Sequence, residues 1–181
     1  LGKDAIAIQD PPLGTGHAVL AAQSALQGFE GELVVLYGDT PLIPADAVEA
    51  LFAELQGGAA VGVLGFEAVD PGAYGRLITN DAGDLEAIVE AKEATPEQLD
   101  VRFCNSGVMA ASADMMFDLL SQVTNENAKG EYYLTDIVAL ARAAGQSCRA
   151  VACDEADVLG VNSRVELAMA ERAFQVKMRN A

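Results

Sequence analysis

Four short segments carry residue types that could do chemistry. In Tyr37-Gly38-Asp39 a carboxylate follows directly on the apolar run Leu33-Val34-Val35-Leu36. Asp39 lies too far upstream to cap the helix pattern that begins near Asp46. A carboxylate at the carboxyl end of a strand is a hard-oxygen ligand suited to Mg2+; the same residue could instead only shape the turn before Pro41. Leu13-Gly14-Thr15-Gly16-His17-Ala18 stands where a strand should pass into a helix. Glycines let backbone approach a ligand, and a helix N-terminus offers free N–H groups to an anion or to the carbonyl edge of a base. The segment is neither a Walker A motif nor a full GxGxxG, so alone it also fits a plain turn. Asn162 precedes Ser163-Arg164-Val165-Glu166, which fits a capping box. With Ser163 as the cap, the Asn162 amide is free for a metal or ligand; with the helix starting one residue earlier, Asn162 is itself the cap. In Gly130-Glu131-Tyr132-Tyr133-Leu134-Thr135-Asp136 two adjacent tyrosines stand before a helix in a chain that is only 6% aromatic. The hydroxyls of Tyr133 and Thr135 could hold a sugar or phosphate, or one tyrosine packs in the core while Thr135 caps.

Elements that could position these groups follow from hydrophobic periodicity. Strands are predicted over 5–9, 33–37, 60–66, 74–79, 85–90, 103–111 and 147–153. The run at 33–37 has the uninterrupted apolar character of a strand buried on both faces. Helices are predicted over 14–26, 46–55, 114–120, 135–144 and 163–178. Asn80-Asp81-Ala82-Gly83 should turn one strand into the next. This alternation predicts an α/β fold: a Rossmann-like, mostly parallel (mixed) sheet with helices on both faces. Ligands in such sheets sit at the carboxyl ends of the strands. No repeat or linker divides the 181 residues, so they are read as one domain.

Composition narrows the function. The formal net charge is −16 with only 11 Lys and Arg, a surface that repels nucleic acid and anionic lipid. A small phosphorylated substrate remains open if a metal, backbone amides or a few local cations meet its charge. The apolar half of the composition comes in short runs, none near the ~20 residues a membrane helix needs, and no signal-like segment opens the chain. Cys104, Cys148 and Cys153 are an odd number without zinc-like spacing and read as small buried hydrophobes in a reducing compartment. His17 is the single histidine, too few for a multi-histidine metal site. The expectation is a cytoplasmic protein.

Taken in order, LGTGHAV, LYGDTPLI, YGRLI, IVEAKEAT, NSGVMA, GEYYLTDI and GVNSR resemble the uridyltransferase domain of the bifunctional bacterial GlmU family, block for block from about Gln9 to the C-terminus. The resemblance implies the nucleotide-diphospho-sugar transferase type of fold, and Mg2+-dependent transfer of UMP from UTP to N-acetylglucosamine-1-phosphate, giving UDP-N-acetylglucosamine, a cell-wall precursor. By the same resemblance Gln9, Gly14 and Thr15 contact the uracil, and Tyr37 and Gly38 line the nucleotide site. Asp39 and Asn162 hold Mg2+, and Gly75, Glu90, Asn105, Tyr133 and Thr135 line the sugar-phosphate pocket. Period-2 alternation puts Ile88 with Glu90 on one strand face, and Asn105 with Gly107 and Met109 on another.

The chain also departs from that pattern. The family's Gly-rich loop with its basic residues is missing, and Lys3 sits in no such motif; the C-terminal β-helix that trimerises the family is missing as well. These departures imply an N-terminally truncated fold, a final helix leading toward an absent domain, and little or no activity for the 181 residues alone. They also imply a parent protein that is a homotrimer. Two alternatives stay in view: a module that holds a nucleotide sugar without turnover, and a uridylyltransferase for another sugar phosphate such as glucose-1-phosphate. A Rossmann dehydrogenase is disfavoured by the absence of GxGxxG and its acidic partner.

Overall fold

The computed structural model describes residues 5–127 and 129–180; Lys3 lies outside them. In chain order the elements are α1 (Thr15–Leu20), a 3-10 turn (Gln23–Leu26), β1 (Glu32–Val35), α2 (Ala45–Gln56), β2 (Val61–Glu67), β3 (Arg76–Thr79) and β4 (Leu85–Val89). Then come α3 (Pro96–Leu99), β5 (Phe103–Ser112), α4 (Ala113–Leu120), α5 (Asp136–Ala143), β6 (Cys148–Cys153), a 3-10 turn (Glu155–Asp157) and α6 (Arg164–Asn180). Among the described residues no helix is long and apolar enough to cross a membrane.

One six-stranded sheet runs β4-β3-β5-β2-β6, with β1 also paired to β5. Side chains alternate across β2. Val61 and Val63 pack with α4 and α5 on one face, while Leu64 and Phe66 pack with Leu51 of α2 on the other. Both clusters are fully dry at their centres, and each such side chain contributes roughly 1.5–3 kcal/mol relative to exposure. The α/β class with helices on both faces is therefore present.

The balance of pairings differs from expectation. β2 with β6 is the one parallel pair in the sheet; β1–β5, β2–β5, β3–β4 and β3–β5 are antiparallel. Apolar runs report burial and not direction, so periodicity could not separate the two. β1 is not buried on both faces: it is an edge strand of half-buried residues, with Leu36 49% exposed just beyond it. Residues 5–9 form no strand; no neighbour offers them a ladder, and Ile6 and Ile8 stay exposed. The single helix expected over 14–26 breaks after Leu20, where the ladder tightens into the 3-10 turn. α3 was not expected, although Thr95 and Gln98 form a capping box with Pro96 in the first turn. The expected turn at 80–83 is present, with the Asn80 side-chain carbonyl accepting from the Ala82 and Asp84 N–H groups at 3.0 Å.

Burial pushes the Cys148 and Cys153 thiols up to about 11, and raises Cys104 as well. For Cys148 and Cys153 the reactive thiolate is then a fraction on the order of one in a thousand or less at pH 7.5, and Cys104 is fully buried. Brief iodoacetamide treatment of the folded chain at that pH should leave its mass unchanged, and unfolding in guanidinium should expose all three cysteines to alkylation. Rapid modification of the native chain would show that these side chains are not held as described.

Candidate functional site

The candidate site lies where β5 has no neighbour along one edge. β3 reaches β5 only at Arg76↔Cys104, and β1 takes up pairing from Val35↔Met109 onward. Between them, Ser106–Val108 have no strand partner on that edge. The chain entering β3 and the chain leaving β1 flank this gap. The Asn105 N–H donates to the Gly75 carbonyl at 2.8 Å, and the ring of Tyr37 lies against Gly107.

On its other edge β5 carries a bulge. The register with β2 passes from Val63↔Met109 to Gly65↔Asn105, so two steps along β2 match four along β5. Side chains hold the extra residues. Ser106 Oγ donates to the Leu64 carbonyl at 2.7 Å and accepts from the Val108 N–H at 3.2 Å, while Asn105 Oδ1 accepts from the Gly107 N–H at 2.9 Å. Bulges of this kind re-aim side chains beside functional sites.

Gly75 just before β3, Glu90 just after β4 and Asn105 of β5 come together. A Cβ placed on Gly75 would lie 3.3 Å from Ile88, 3.6 Å from Glu90 Oε1 and 3.7 Å from Asn105 Cβ. The start of α5 belongs to the same neighbourhood. Burial raises the Asp136 carboxyl above its ordinary range, with Glu90 and Glu93 adding to the effect. For Tyr133 and Thr135 the link to the cluster runs through this neighbouring Asp136. Thr135 stands at the helix start without a side-chain capping bond.

The Gly-rich loop is joined to the tyrosine segment. The Tyr132 N–H donates to the Leu13 carbonyl and the Gly16 N–H to the Tyr132 carbonyl, both at 2.8 Å. Thr15 Oγ1 accepts from the Leu134 N–H at 3.0 Å. Gly14 sits at φ 113, and a Cβ there would fall 2.6 Å from the Tyr132 carbonyl oxygen. Gln9 Nε2 donates to the Gly14 carbonyl at 2.9 Å and meets His17 Nδ1 at 3.0 Å, so its amide nitrogen braces the loop. Burial raises the Tyr37 phenol, opposed by a side-chain hydrogen bond with Thr15 and reinforced by the carboxylates of Asp39 and Glu90. Tyr37 thus stands between the loop, Asp39 and the Gly75–Glu90–Asn105 cluster.

Asp39 and Asn162 lie on adjoining exposed loops, tied by the Val161 N–H donating to the Asp39 carbonyl at 2.8 Å. Ser163 caps α6, accepting from the Glu166 N–H at 3.2 Å. The Glu166 carboxylate reaches the Asn162 N–H at 2.8 Å, one residue earlier than the usual box. The Asn162 side chain is therefore not the cap. Among the described residues no group of three or more His, Cys, Asp or Glu is placed to hold a metal ion. Two side-chain oxygens, from Asp39 and Asn162, still fit Mg2+, which takes one or two carboxylates and completes its shell with phosphate and water.

Arg76 spends its guanidinium on the carbonyls of Pro71, Gly72 and Tyr74, and Arg102 on those of Ala68 and Val69. None of the site residues lines the cavity of about 520 Å³ between Gln23–Glu30 and the start of α4. Gly107 and Asp136 join the site unforeseen. The NSG triplet was visible in the sequence, but nothing there showed that Gly107 meets Tyr37.

No family model matches the chain. It is 63% identical over 98% of its length to the bifunctional protein GlmU of Hyphomonas neptunium, covering 38% of that protein. To the GlmU of Maricaulis maris it is 59% identical over 97% of its length, covering 39%, and to that of a Ruegeria species 54% over 96%, covering 38%. The chain thus spans about two-fifths of the length of these curated relatives. Among solved structures it resembles the nucleoside-diphosphate-sugar pyrophosphorylase of Vibrio cholerae, with a TM-score of 0.62 at 14% identity over 87% of this chain and 65% of that one. That likeness gives the fold.

Proposed function

The chain is GlmU-like almost from end to end, and from that premise we propose that it is the catalytic part of a uridyltransferase making UDP-N-acetylglucosamine from UTP and N-acetylglucosamine-1-phosphate. The observation that carries the proposal is the gap along β5, flanked by the Tyr37 ring seated on Gly107 on one side and by Gly75, Glu90 and Asn105 on the other.

In this reaction a phosphate oxygen of the sugar phosphate forms a bond to the α-phosphorus of UTP. The bond from that phosphorus to the bridging oxygen breaks in line, and pyrophosphate leaves. The attacking oxygen is already ionised, so no general base is needed, and the work is alignment and charge neutralisation. Gln9, Gly14 and Thr15 present the rigid loop edge to the uracil. Glu90 accepts hydroxyl or amide hydrogens of the sugar, Asn105 and Tyr133 orient it, and Thr135 with the backbone at Gly75 closes that side. Asp39 and Asn162 would hold Mg2+, whose charge offsets the repulsion between the two phosphates, about 4 kcal/mol for unit charges at 4 Å and an effective dielectric near 20. With Arg76 and Arg102 committed to backbone carbonyls, that offset matters more here.

The substrates place the reaction in the cytoplasm. The greater length of the relatives supports a longer parent, which we propose is a homotrimer, and the 181 residues alone should turn over poorly. The parent protein should convert N-acetylglucosamine-1-phosphate in strong preference to glucose-1-phosphate when both compete for UTP. Equal consumption of the two would remove the sugar assignment, and Mg2+-dependent UTP binding without product would leave a nucleotide-sugar-binding module.

A further inference from the structure

We propose that Gly107 is a positioning residue: the Asn105–Gly107 bulge is the seat on which the Tyr37 ring is set between the nucleotide and sugar sides. The observations are independent of sequence likeness. Gly107 has φ 89, and a Cβ there would fall 2.3 Å from Tyr37 Cε2, 3.0 Å from Cδ2 and 3.1 Å from Cζ. Real side-chain carbons do not approach so closely, so the ring occupies the volume that any other residue would need. Gly107 is also buried, leaving its neighbours little freedom to give way.

The seat is built, not incidental. Asn105 Oδ1 accepts from the Gly107 N–H at 2.9 Å, and Ser106 Oγ bridges the Leu64 carbonyl and the Val108 N–H. Together these bonds hold the bulge that brings the Gly107 backbone up under the ring. Tyr37 lies beyond the end of β1 at Val35, where the ladder with β5 no longer runs. The ring is thus located by contact with Gly107. Asn105 faces the proposed sugar pocket, so the side chain that touches the sugar also braces the seat of a residue on the nucleotide side.

This inference rests on the proposed transferase reading, and its test separates the two. In the full-length protein that contains this chain, kcat/KM for UTP is measured for wild type, Gly107→Ala, Tyr37→Val and the double variant. If Gly107 acts through Tyr37, Gly107→Ala lowers kcat/KM at least about tenfold with the ring present and no more than about twofold once it is removed, the coupling expected of residues in contact. Equal losses in both backgrounds overturn the proposal, because backbone strain alone is indifferent to residue 37. Should Gly107→Ala fail to fold, Ser106→Ala loosens the bulge without adding a carbon and should show the same dependence on Tyr37, at smaller size. Absence of turnover in the wild type would instead refute the transferase reading. The Tyr37–Gly107 coupling would then be read from denaturation midpoints of the same four proteins, where additivity again overturns it.

Discussion

Replacing Asp39 by alanine is expected to lower uridyltransferase turnover at least about a hundredfold while leaving the fold intact. The size follows from charge. A cation held against the phosphates is worth about 4 kcal/mol per unit-charge contact at 4 Å and an effective dielectric near 20, and each 1.4 kcal/mol is about tenfold in rate. Exposure of Asp39 to solvent reduces the full thousandfold. The fold should survive because the structural contact of Asp39 is its backbone carbonyl, which receives the Val161 N–H and is untouched by the substitution. The free energy of unfolding should therefore change by no more than about 0.5 kcal/mol. Asn162→Ala should act in the same direction, and raised Mg2+ should recover part of its loss. Kinetics over a Mg2+ series check both; an Asp39→Ala enzyme with near-wild-type turnover would remove Asp39 from the metal site.

Gly14→Ala should be strongly destabilising, because the methyl it adds meets backbone. At φ 113 and ψ 174 the backbone is in a region that essentially only glycine occupies, at a cost of about 1–3 kcal/mol for other residues. The new carbon would also sit 2.6 Å from one Tyr132 backbone atom and 2.8 Å from another. Backbone cannot rotate aside as a side chain can, so the two loops must separate and lose the bonds at Leu13, Gly16 and Thr15. A total near 3 kcal/mol or more follows, a fall in Tm of about 6–12 °C for a chain of this size, with weakened nucleotide binding because Thr15 moves. Gly28→Ala serves as the comparison, with φ 78 and no atom within 4 Å of the added carbon; it should cost only about 1–2 kcal/mol. Equal destabilisation by the two substitutions would mean that the junction with Tyr132 contributes nothing.

What the sequence disclosed, and what it withheld, can be traced to particular residues. The turn at Asn80–Gly83 and the cap at Ser163 are local chemistry, and local chemistry is readable. β2 was readable as a buried strand because Val61–Phe66 is uniformly apolar. β5 was readable as a strand over 103–111, but its antiparallel pairing with β2 was not, since direction is set by chain topology and both arrangements bury the same side chains. β1 misled for a related reason: Leu33–Tyr37 has the composition of an interior strand but stands at an edge. Asp39 could be singled out because it follows a strand and caps nothing. Gly75, Glu90 and Asn105 could be named only through resemblance, since residues on separate elements share no periodicity. Gly107 was beyond reach, because its role is the space it leaves for a ring seventy positions earlier in the chain.

The central claim is most directly tested by pyrophosphate release from UTP, N-acetylglucosamine-1-phosphate and Mg2+, measured for this chain and for the full-length protein that contains it. The account predicts steady release by the full-length protein, its loss in the Asp39→Ala form, and little or none from the 181 residues alone. No release by the full-length protein with any sugar phosphate, or release unaffected by Asp39→Ala, would contradict it.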